Sequence, residues 1–401
     1  MNAPELVVCP EDYSLLTDLY QLTMAACYVG EGIDQRRASF ELFARRLPEH
    51  FGYVVAMGLE QALSYLSQIR FSSAQIEALQ ATGLFPHAPD AFWSLLADAR
   101  FTGDVWAVPE GTVMFADEPL LRVEAPLWQA QLVETYLLNA INYQTLVATR
   151  SARMRDQIGE EALLMEFGTR RAFSPQASLW AARAAIAGGM NTTSNVLAAL
   201  QLGYKPGGTM AHALVMALSA LEGNEDQAFI AFHRYFPNAA LLIDTYDPVD
   251  AAQRLAERVG SGDLELSGVR LDSGDLVTLS NTVRSLLPDV AIIASGDLDE
   301  YEIQRLRQAG ATIDGYGIGT KLVTGTPVNG VYKLVDIDGI PVMKASSGKA
   351  TYPGRKQVFR QIQAGQWQGD RLTLIDDAAA PGEFPLLQPV MKQGERLHPP
   401  E

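Results

Sequence analysis

The chain has 401 residues, 48% hydrophobic and 19% charged, with a formal net charge of −16 at pH 7. That length holds more than one domain and a large core, and the acidic balance argues against a general binder of nucleic acid or anionic membrane while leaving room for a local basic pocket for a small anion. Two cysteines, Cys9 and Cys27, make neither a disulfide framework nor a zinc site, the first residues lack the pattern of a secretory signal, and no apolar run approaches the ~20 residues of a membrane span, so a cytoplasmic location is expected.

Residues 14–30 carry apolar side chains at helical spacing and end near Gly30, so they read as a helix, with a polar patch of Thr17, Asp18, Tyr20 and Gln21 near its start. Tyr20 has two readings: a half-buried packing residue, or a ring offered to a flat ligand or a partner subunit. Residues 37–43 alternate polar and apolar and read as a strand, 53–57 as a second, and Gly58 opens a helix. Residues 72–100 read as one or two helices, and 101–125 as short strands broken by Gly and Pro turns. Residues 1–126 are therefore expected to form an α+β domain with a mostly antiparallel sheet. Pro126 precedes a long predicted helix, 127–158, beside the domain boundary.

From about residue 160 the pattern changes to strand–loop–helix units. Strands are predicted at 162–167, 241–244, 264–271, 291–294 and 313–317. Ser174 and Pro175 open a helix that closes at Gly188-Gly189, and further helices are predicted at 248–259 and 299–309. Residues 211–221 are almost entirely apolar, which suits a buried helix. The repetition argues for a parallel sheet, and polar motifs at strand C-terminal ends favour an irregular α/β barrel over residues 127–335; an open doubly wound sheet is the alternative on spacing alone. The segment 336–401 alternates strands and turns and is expected to rejoin the N-terminal domain, with its end, GERLHPPE, disordered.

Several strand-end motifs carry chemistry. Gly207-Gly208-Thr209-Met210-Ala211-His212 runs a glycine loop into a helix, with Thr209 or Gly208 as the expected cap. His212 then sits in the first turn, where free N–H groups favour a neutral imidazole and a nearby anion. A neutral imidazole is able to accept a phosphoryl group; a packed core histidine is the competing reading. In Glu166-Phe167-Gly168-Thr169-Arg170-Arg171, two arginines follow a strand, suited to carboxylate or phosphate unless they serve surface ion pairs. Phe167 is able to lie flat against an aromatic ring. Arg270 and Asp272 are two apart on a strand and so share a face, either as an anion-and-hydroxyl site or as a structural ion pair. Ser295-Gly296-Asp297 and Gly315-Tyr316-Gly317-Ile318-Gly319-Thr320 are successive glycine loops of the kind that cradle phosphate. Asp244, Asp272 and Asp297 together suit sugar hydroxyls and Mg²⁺.

LLTDLYQLTM, EFGTRRAF, NTTSNVLA, GTMAH, LLIDTYD, VRLDSGDL, ASGDLDE and GYGIGTKLVTG occur in this order, and with VMKASSGKATYPGRKQVFR they cover residues from about 14 to about 360. This ordered set resembles the nicotinate phosphoribosyltransferase family. The resemblance implies condensation of nicotinate with phosphoribosyl pyrophosphate to nicotinate mononucleotide and pyrophosphate, in NAD salvage, with ATP hydrolysis coupled and Mg²⁺ as cofactor. It implies that His212 is the phosphorylated histidine. Phe167 would stack on one face of the pyridine, and Tyr20 with Asp18 would reach the other from the second subunit of a homodimer. Arg170 and Arg270 would meet carboxylate or phosphates, Asp244 and Asp272 ribose and Mg²⁺, and Gly296, Asp297, Gly317, Gly319 and Thr320 the 5′-phosphate and ribose. Ser194 stands where related nicotinamide enzymes have an aspartate; a serine is able to donate to a carboxylate that an aspartate would repel. The chain departs from many relatives at Met190-Asn191-Thr192, at Ala213 and in its shorter C-terminal region. Nicotinamide- or quinolinate-using relatives, and a sugar-phosphate binder without transferase activity, are the alternatives.

Overall fold

The structure is a computed structural model that describes residues 6–346 and 349–397. The chain divides into two compact units, Met1–Leu146 with Pro327–Glu401, and Val147–Thr326. In the first, the helix Leu19–Gly30 is followed by strands β1 (Arg37–Ala44), β2 (Val54–Val55), β3 (Asp104–Ala107), β4 (Val113–Met114) and β5 (Pro119–Pro126). β1 pairs antiparallel with β5, and β5 with β3. The alternation of β1 predicts a wet polar face, yet Ser39 and Glu41 are buried. Lys356 Nζ reaches Glu41 Oε2 at 2.7 Å, so the polar face is covered and neutralised rather than solvated. Residues 72–100 form two helices, Ser73–Ala81 and Asp90–Ala97; Ser72 and Gln75 close the first with a reciprocal capping box. The expected helix 127–158 is broken at Val133 into Leu127–Leu132 and Glu134–Ile158.

The second unit holds β6 (Leu163–Glu166), β7 (Thr192–Thr193), β8 (Leu241–Leu242), β9 (Gly268–Leu271), β10 (Ala291–Gly296) and β11 (Gly315–Ile318). They form a parallel sheet in the order β7-β6-β11-β10-β9-β8, which is the mixed α/β arrangement that the strand–loop–helix repetition predicts. β7 and β8 are its edges by pairing. The Gly207 N–H donates to Thr193 O at 2.9 Å just past β7, while Arg270, on β9, donates to Thr209 Oγ1 and Met210 O at 2.7 and 2.9 Å. The helix His212–Glu222 is not the buried element its composition predicts. Only Val215 is buried, and Met216 and Leu221 are 55% and 80% exposed. Within the single chain one row of side chains is enough to seat this helix, and its apolar remainder faces outward.

The returning chain adds β12 (Gly330–Ile337), β13 (Ile340–Pro341), β14 (Lys356–Gln363), β15 (Gln366–Leu374), β16 (Glu383–Pro385), β17 (Gln388–Lys392) and β18 (Glu395–Arg396). β12 extends the first unit's sheet beyond β1, and β17 pairs with β3 at its other side. The units therefore change over at 146/147 and 326/327 rather than at 126 and 335. The cause is pairing and packing: Leu127–Leu132 lies on β1 and β5, and all of β12 belongs to the β1 edge. The end of the chain predicted to be disordered begins inside this sheet with β18; from His398 onward it lies outside the described residues, as do Ser347 and Gly348 of the late lysine-containing segment.

Candidate active site

The C-terminal ends of the parallel strands gather most of the expected residues of the second unit. Phe167 directly follows β6, where its N–H donates to Ile318 O at 2.7 Å. Its ring packs on Met165, Ala240 and Ile293. Gly317 lies within β11, and a Cβ on it would fall 2.3 Å from Phe167 Cε2. Its missing side chain makes room for that ring. The Arg270 guanidinium stands 5.9 Å from the Phe167 ring centroid. Burial lowers the Arg270 pKa, Asp272 and Asp244 oppose that shift, and the charge of Arg170 adds to it. Of the two exposed arginines after β6, Arg170 is therefore one whose charge Arg270 feels. Two Arg270 nitrogens are engaged by the 209–210 segment, while its buried Nε has no partner.

Arg270 and Asp272 flank Leu271 as the strand period requires. Asp272 Oδ1 accepts from Ser295 Oγ at 2.5 Å. Asp244 is 8% exposed; its Oδ2 accepts from the Asp272 N–H at 2.7 Å and Ser273 Oγ at 2.8 Å. Its Oδ1 is buried without a partner. Among the described residues no group of three or more His, Cys, Asp or Glu is arranged to hold a metal. Two neighbouring carboxylates, one with an unpartnered oxygen, do fit a hard cation that takes its remaining oxygens from phosphate and water. Gly296 ends β10 at φ +117, and a Cβ there would lie 2.8 Å from Asp272 O, so the turn needs glycine. Asp297 is exposed, and Gly319 caps the short helix Thr320–Val323. Lys321, unassigned from sequence, pairs with Asp299 at 2.9 Å. That bond chiefly, with the charges of Asp299 and Asp297, raises its pKa.

His212 is the first residue of its helix. Its N-cap is Ala211, with no side-chain cap bond, rather than Thr209 or Gly208. Thr209 is withdrawn because its hydroxyl is turned to Arg270. His212 Nδ1 lies 3.0 Å from Thr245 Oγ1. In the sequence Thr245 stands only within the LLIDTYD motif, and a hydroxyl 33 positions away gives no local sign that it meets an imidazole. Ser194, half-buried, donates its N–H to Glu166 O at 2.9 Å. Asp18 and Tyr20 belong to the first unit. Thr135 Oγ1 donates to Asp18 Oδ2 at 2.9 Å, and the Tyr20 hydroxyl to Glu134 Oε2 at 3.1 Å. Burial first, then Glu134, pushes the Tyr20 pKa up to about 12, so the phenol stays protonated while the residue as a whole is 46% exposed.

Residues 15–142 match the family profile of the nicotinate phosphoribosyltransferase N-terminal domain, and residues 162–364 match that of the nicotinate phosphoribosyltransferase family. The chain belongs to the nicotinate phosphoribosyltransferase family. As a nicotinate phosphoribosyltransferase family enzyme, it is 42% identical over 395 residues to a nicotinate phosphoribosyltransferase of Mycobacterium tuberculosis, covering 96% of this chain and 83% of that one. It is 44% identical over 386 residues to the Bacillus subtilis nicotinate phosphoribosyltransferase, covering 92% and 77%. The crystal structure of human nicotinic acid phosphoribosyltransferase superimposes with a TM-score of 0.82 at 31% identity, covering 96% of this chain and 90% of that one. The nicotinate-nucleotide pyrophosphorylase structure from Pyrococcus furiosus, at 24% identity and a TM-score of 0.78, covers 99% of this chain and 94% of its own and shares the fold. No helix among the described residues of this family member is long and apolar enough to cross a membrane.

Proposed function

We propose that this enzyme joins nicotinate to C1 of phosphoribosyl pyrophosphate, with ATP hydrolysis coupled through a phosphorylated His212. The C1–oxygen bond to pyrophosphate breaks and the bond from the pyridine nitrogen to C1 forms, giving nicotinate mononucleotide. The observation that carries this reading is the pair of buried, unpartnered atoms of opposite charge type at neighbouring strand ends, Arg270 Nε and Asp244 Oδ1. A buried polar group left without a partner costs free energy, which a bound anion with its cation would recover.

In this reading Phe167 orients the pyridine, whose nitrogen is already nucleophilic, so the site supplies placement rather than a base. Arg270, with Arg170 beside it, meets the pyrophosphate or the nicotinate carboxylate and stabilises charge as it develops. Magnesium held by Asp244 and Asp272 would supply charge neutralisation to the leaving pyrophosphate. The Ser194 hydroxyl donates to the nicotinate carboxylate and disfavours the amide. Gly296, Asp297, Gly319 and Thr320 line the ribose 5′-phosphate. In the tautomer that carries its proton on Nδ1, His212 donates to Thr245 Oγ1 across the 3.0 Å contact, which leaves the Nε2 lone pair to attack the γ-phosphorus of ATP as the bond to ADP breaks. Water later cleaves the phosphorus–nitrogen bond and releases phosphate. The parallel strands are read as the wall of an irregular barrel, with the 205–210 segment spanning its open side. Asp18 and Tyr20 are assigned to a homodimer's shared site, the partner copy's ring completing the pyridine slot.

Pyrophosphate release from phosphoribosyl pyrophosphate and nicotinate, with and without ATP, tests the whole reading. The unsubstituted enzyme is expected to need nicotinate and to be stimulated by ATP. His212→Ala is expected to retain slow ATP-independent synthesis and lose the stimulation; full stimulation of that variant would remove the coupling role. Ser194→Asp is expected to shift preference toward nicotinamide, and an unchanged acid-to-amide ratio would take Ser194 out of the selectivity argument.

A further inference from the structure

Glu166 closes β6, is 1% exposed, and takes no part in the chemistry above. Each of its carboxylate oxygens is committed. Oε1 accepts from the Gly168 N–H, and Oε2 accepts from the Thr193 hydroxyl. The Thr193 oxygen in turn accepts the Asn195 N–H at 2.9 Å, and the Glu166 carbonyl accepts the Ser194 N–H at 2.9 Å. One residue thus bonds to both strand-end loops, that of Phe167–Arg170 after β6 and that of Ser194–Asn195 after β7. The approach of Gly168 depends on its being glycine: a Cβ there would lie 2.8 Å from Glu166 Oε1 and 2.3 Å from Val323 Cγ1. The Gly168 N–H and the Thr193 hydroxyl both donate here, and a carboxylate offers an acceptor oxygen to each. A glutamine is able to keep both contacts, its oxygen accepting from Gly168 and its NH₂ donating to the second lone pair of the Thr193 hydroxyl, so cutting the tie takes an apolar side chain. Burial raises the Glu166 pKa, and the Thr193 and Gly168 bonds oppose that shift.

We propose that Glu166 is the positioning residue of the pyridine slot: by tying the Phe167 loop to the Ser194 loop, it sets the spacing between the ring that stacks on nicotinate and the hydroxyl that meets its carboxylate. The inference rests on the roles assigned to Phe167 and Ser194 above and adds no contact with substrate. Apart from Arg170, the residues assigned above to ribose, its 5′-phosphate and pyrophosphate follow or lie on β8, β9, β10 and β11, which the Glu166 carboxylate does not touch, so the two substrates respond differently when the tie is cut.

The test is steady-state kinetics of the full-length enzyme, with KM for nicotinate and for phosphoribosyl pyrophosphate measured separately and thermal melting as the fold control. Glu166→Met, which removes both acceptor oxygens, and Thr193→Val are expected to raise the nicotinate KM roughly 5- to 20-fold while the phosphoribosyl pyrophosphate KM stays within about twofold. Thr193→Ser keeps the hydroxyl and is expected to remain within about twofold of the unsubstituted enzyme in both. The preference for nicotinate over nicotinamide is expected to narrow in the two impaired variants. Parallel rises in both KM values, a fall in kcat with nicotinate KM unchanged, or a Thr193→Ser enzyme as impaired as Thr193→Val would each overturn the proposal. If Glu166→Met does not fold, the Thr193 pair decides. An unsubstituted enzyme that releases no pyrophosphate with nicotinate would overturn the functional reading itself, and this inference with it.

Discussion

At the scale of single residues, Gly317 carries a lesson about glycine motifs. In sequence it belongs to a run that suggests a phosphate loop, and in the sheet it lies under an aromatic ring. Gly317→Ala would drive a methyl group to 2.3 Å from the Phe167 ring, so the ring must tilt or leave. The expected outcome is a rise in nicotinate KM of at least about tenfold with little change in melting temperature, read by steady-state kinetics and a thermal scan. Gly296 differs in kind, because its φ of +117 and its approach to Asp272 O both require glycine. Gly296→Ala is expected to cost stability as well as activity, roughly 1–3 kcal/mol by urea denaturation. Which glycine serves which purpose was not legible from the sequence: both look alike in a string, and they are separated only by backbone angle and by what the pleat sets opposite.

At the scale of elements, the motifs are held in place by polar ties outside the site. Arg155, on the helix Glu134–Ile158, donates to Gly159 O, Ala162 O, Gly189 O and Asn191 Oδ1. Asn191 Oδ1 also accepts the Leu164 N–H at 2.8 Å. Asn191 thus braces the start of β6 and not its site end. Arg155→Met would leave several carbonyl oxygens without their donor, at an expected cost of about 1–3 kcal/mol, and urea denaturation of the variant measures it. The strand–loop–helix order and the parallel sheet were readable from periodicity and caps, such as Ser174 accepting the Ala177 N–H, because those signals are local. The break at Val133 and the outward face of the His212 helix were not, since composition reports how apolar a segment is and not what lies against it.

At the scale of the whole molecule, two expectations follow. Leu197 and Leu200 on the helix Val196–Gln201, with Met216 and Leu221 on the His212 helix, are exposed apolar side chains. Such surface suits burial against a second copy. Sedimentation is expected to give a dimer, and Leu200→Asp to shift it toward monomer with a loss of activity; a fully active monomer would remove the shared-site reading. The second expectation concerns pH. Burial, with the nearby Asp370 adding, raises the Glu118 pKa from 4.5 to about 7, against the Phe115 N–H and Arg360. A carboxyl that holds its proton more tightly when folded contributes stability that is full below about pH 4.5 and is lost as the pH rises through about 7. Glu118→Gln keeps an oxygen for the Phe115 N–H and carries no charge to lose. Its melting temperature is expected to exceed that of the unsubstituted protein at pH 8 and to match it at pH 4, as calorimetry at both pH values would show.

The sequence by itself determined the order of the strand-end motifs and, through them, the family. Turn glycines, caps and the charged residues beside them are written within a few positions of one another, so each motif is complete before the chain folds. Tertiary structure alone decided which of those residues meet. Thr245 faces His212, Thr193 and Gly168 share Glu166, Glu41 is paired with Lys356, and Gly317 yields its space to Phe167. The reason is physical: a side chain's neighbours across a sheet depend on register and on which face each residue presents, and a shift of one position would exchange every one of them.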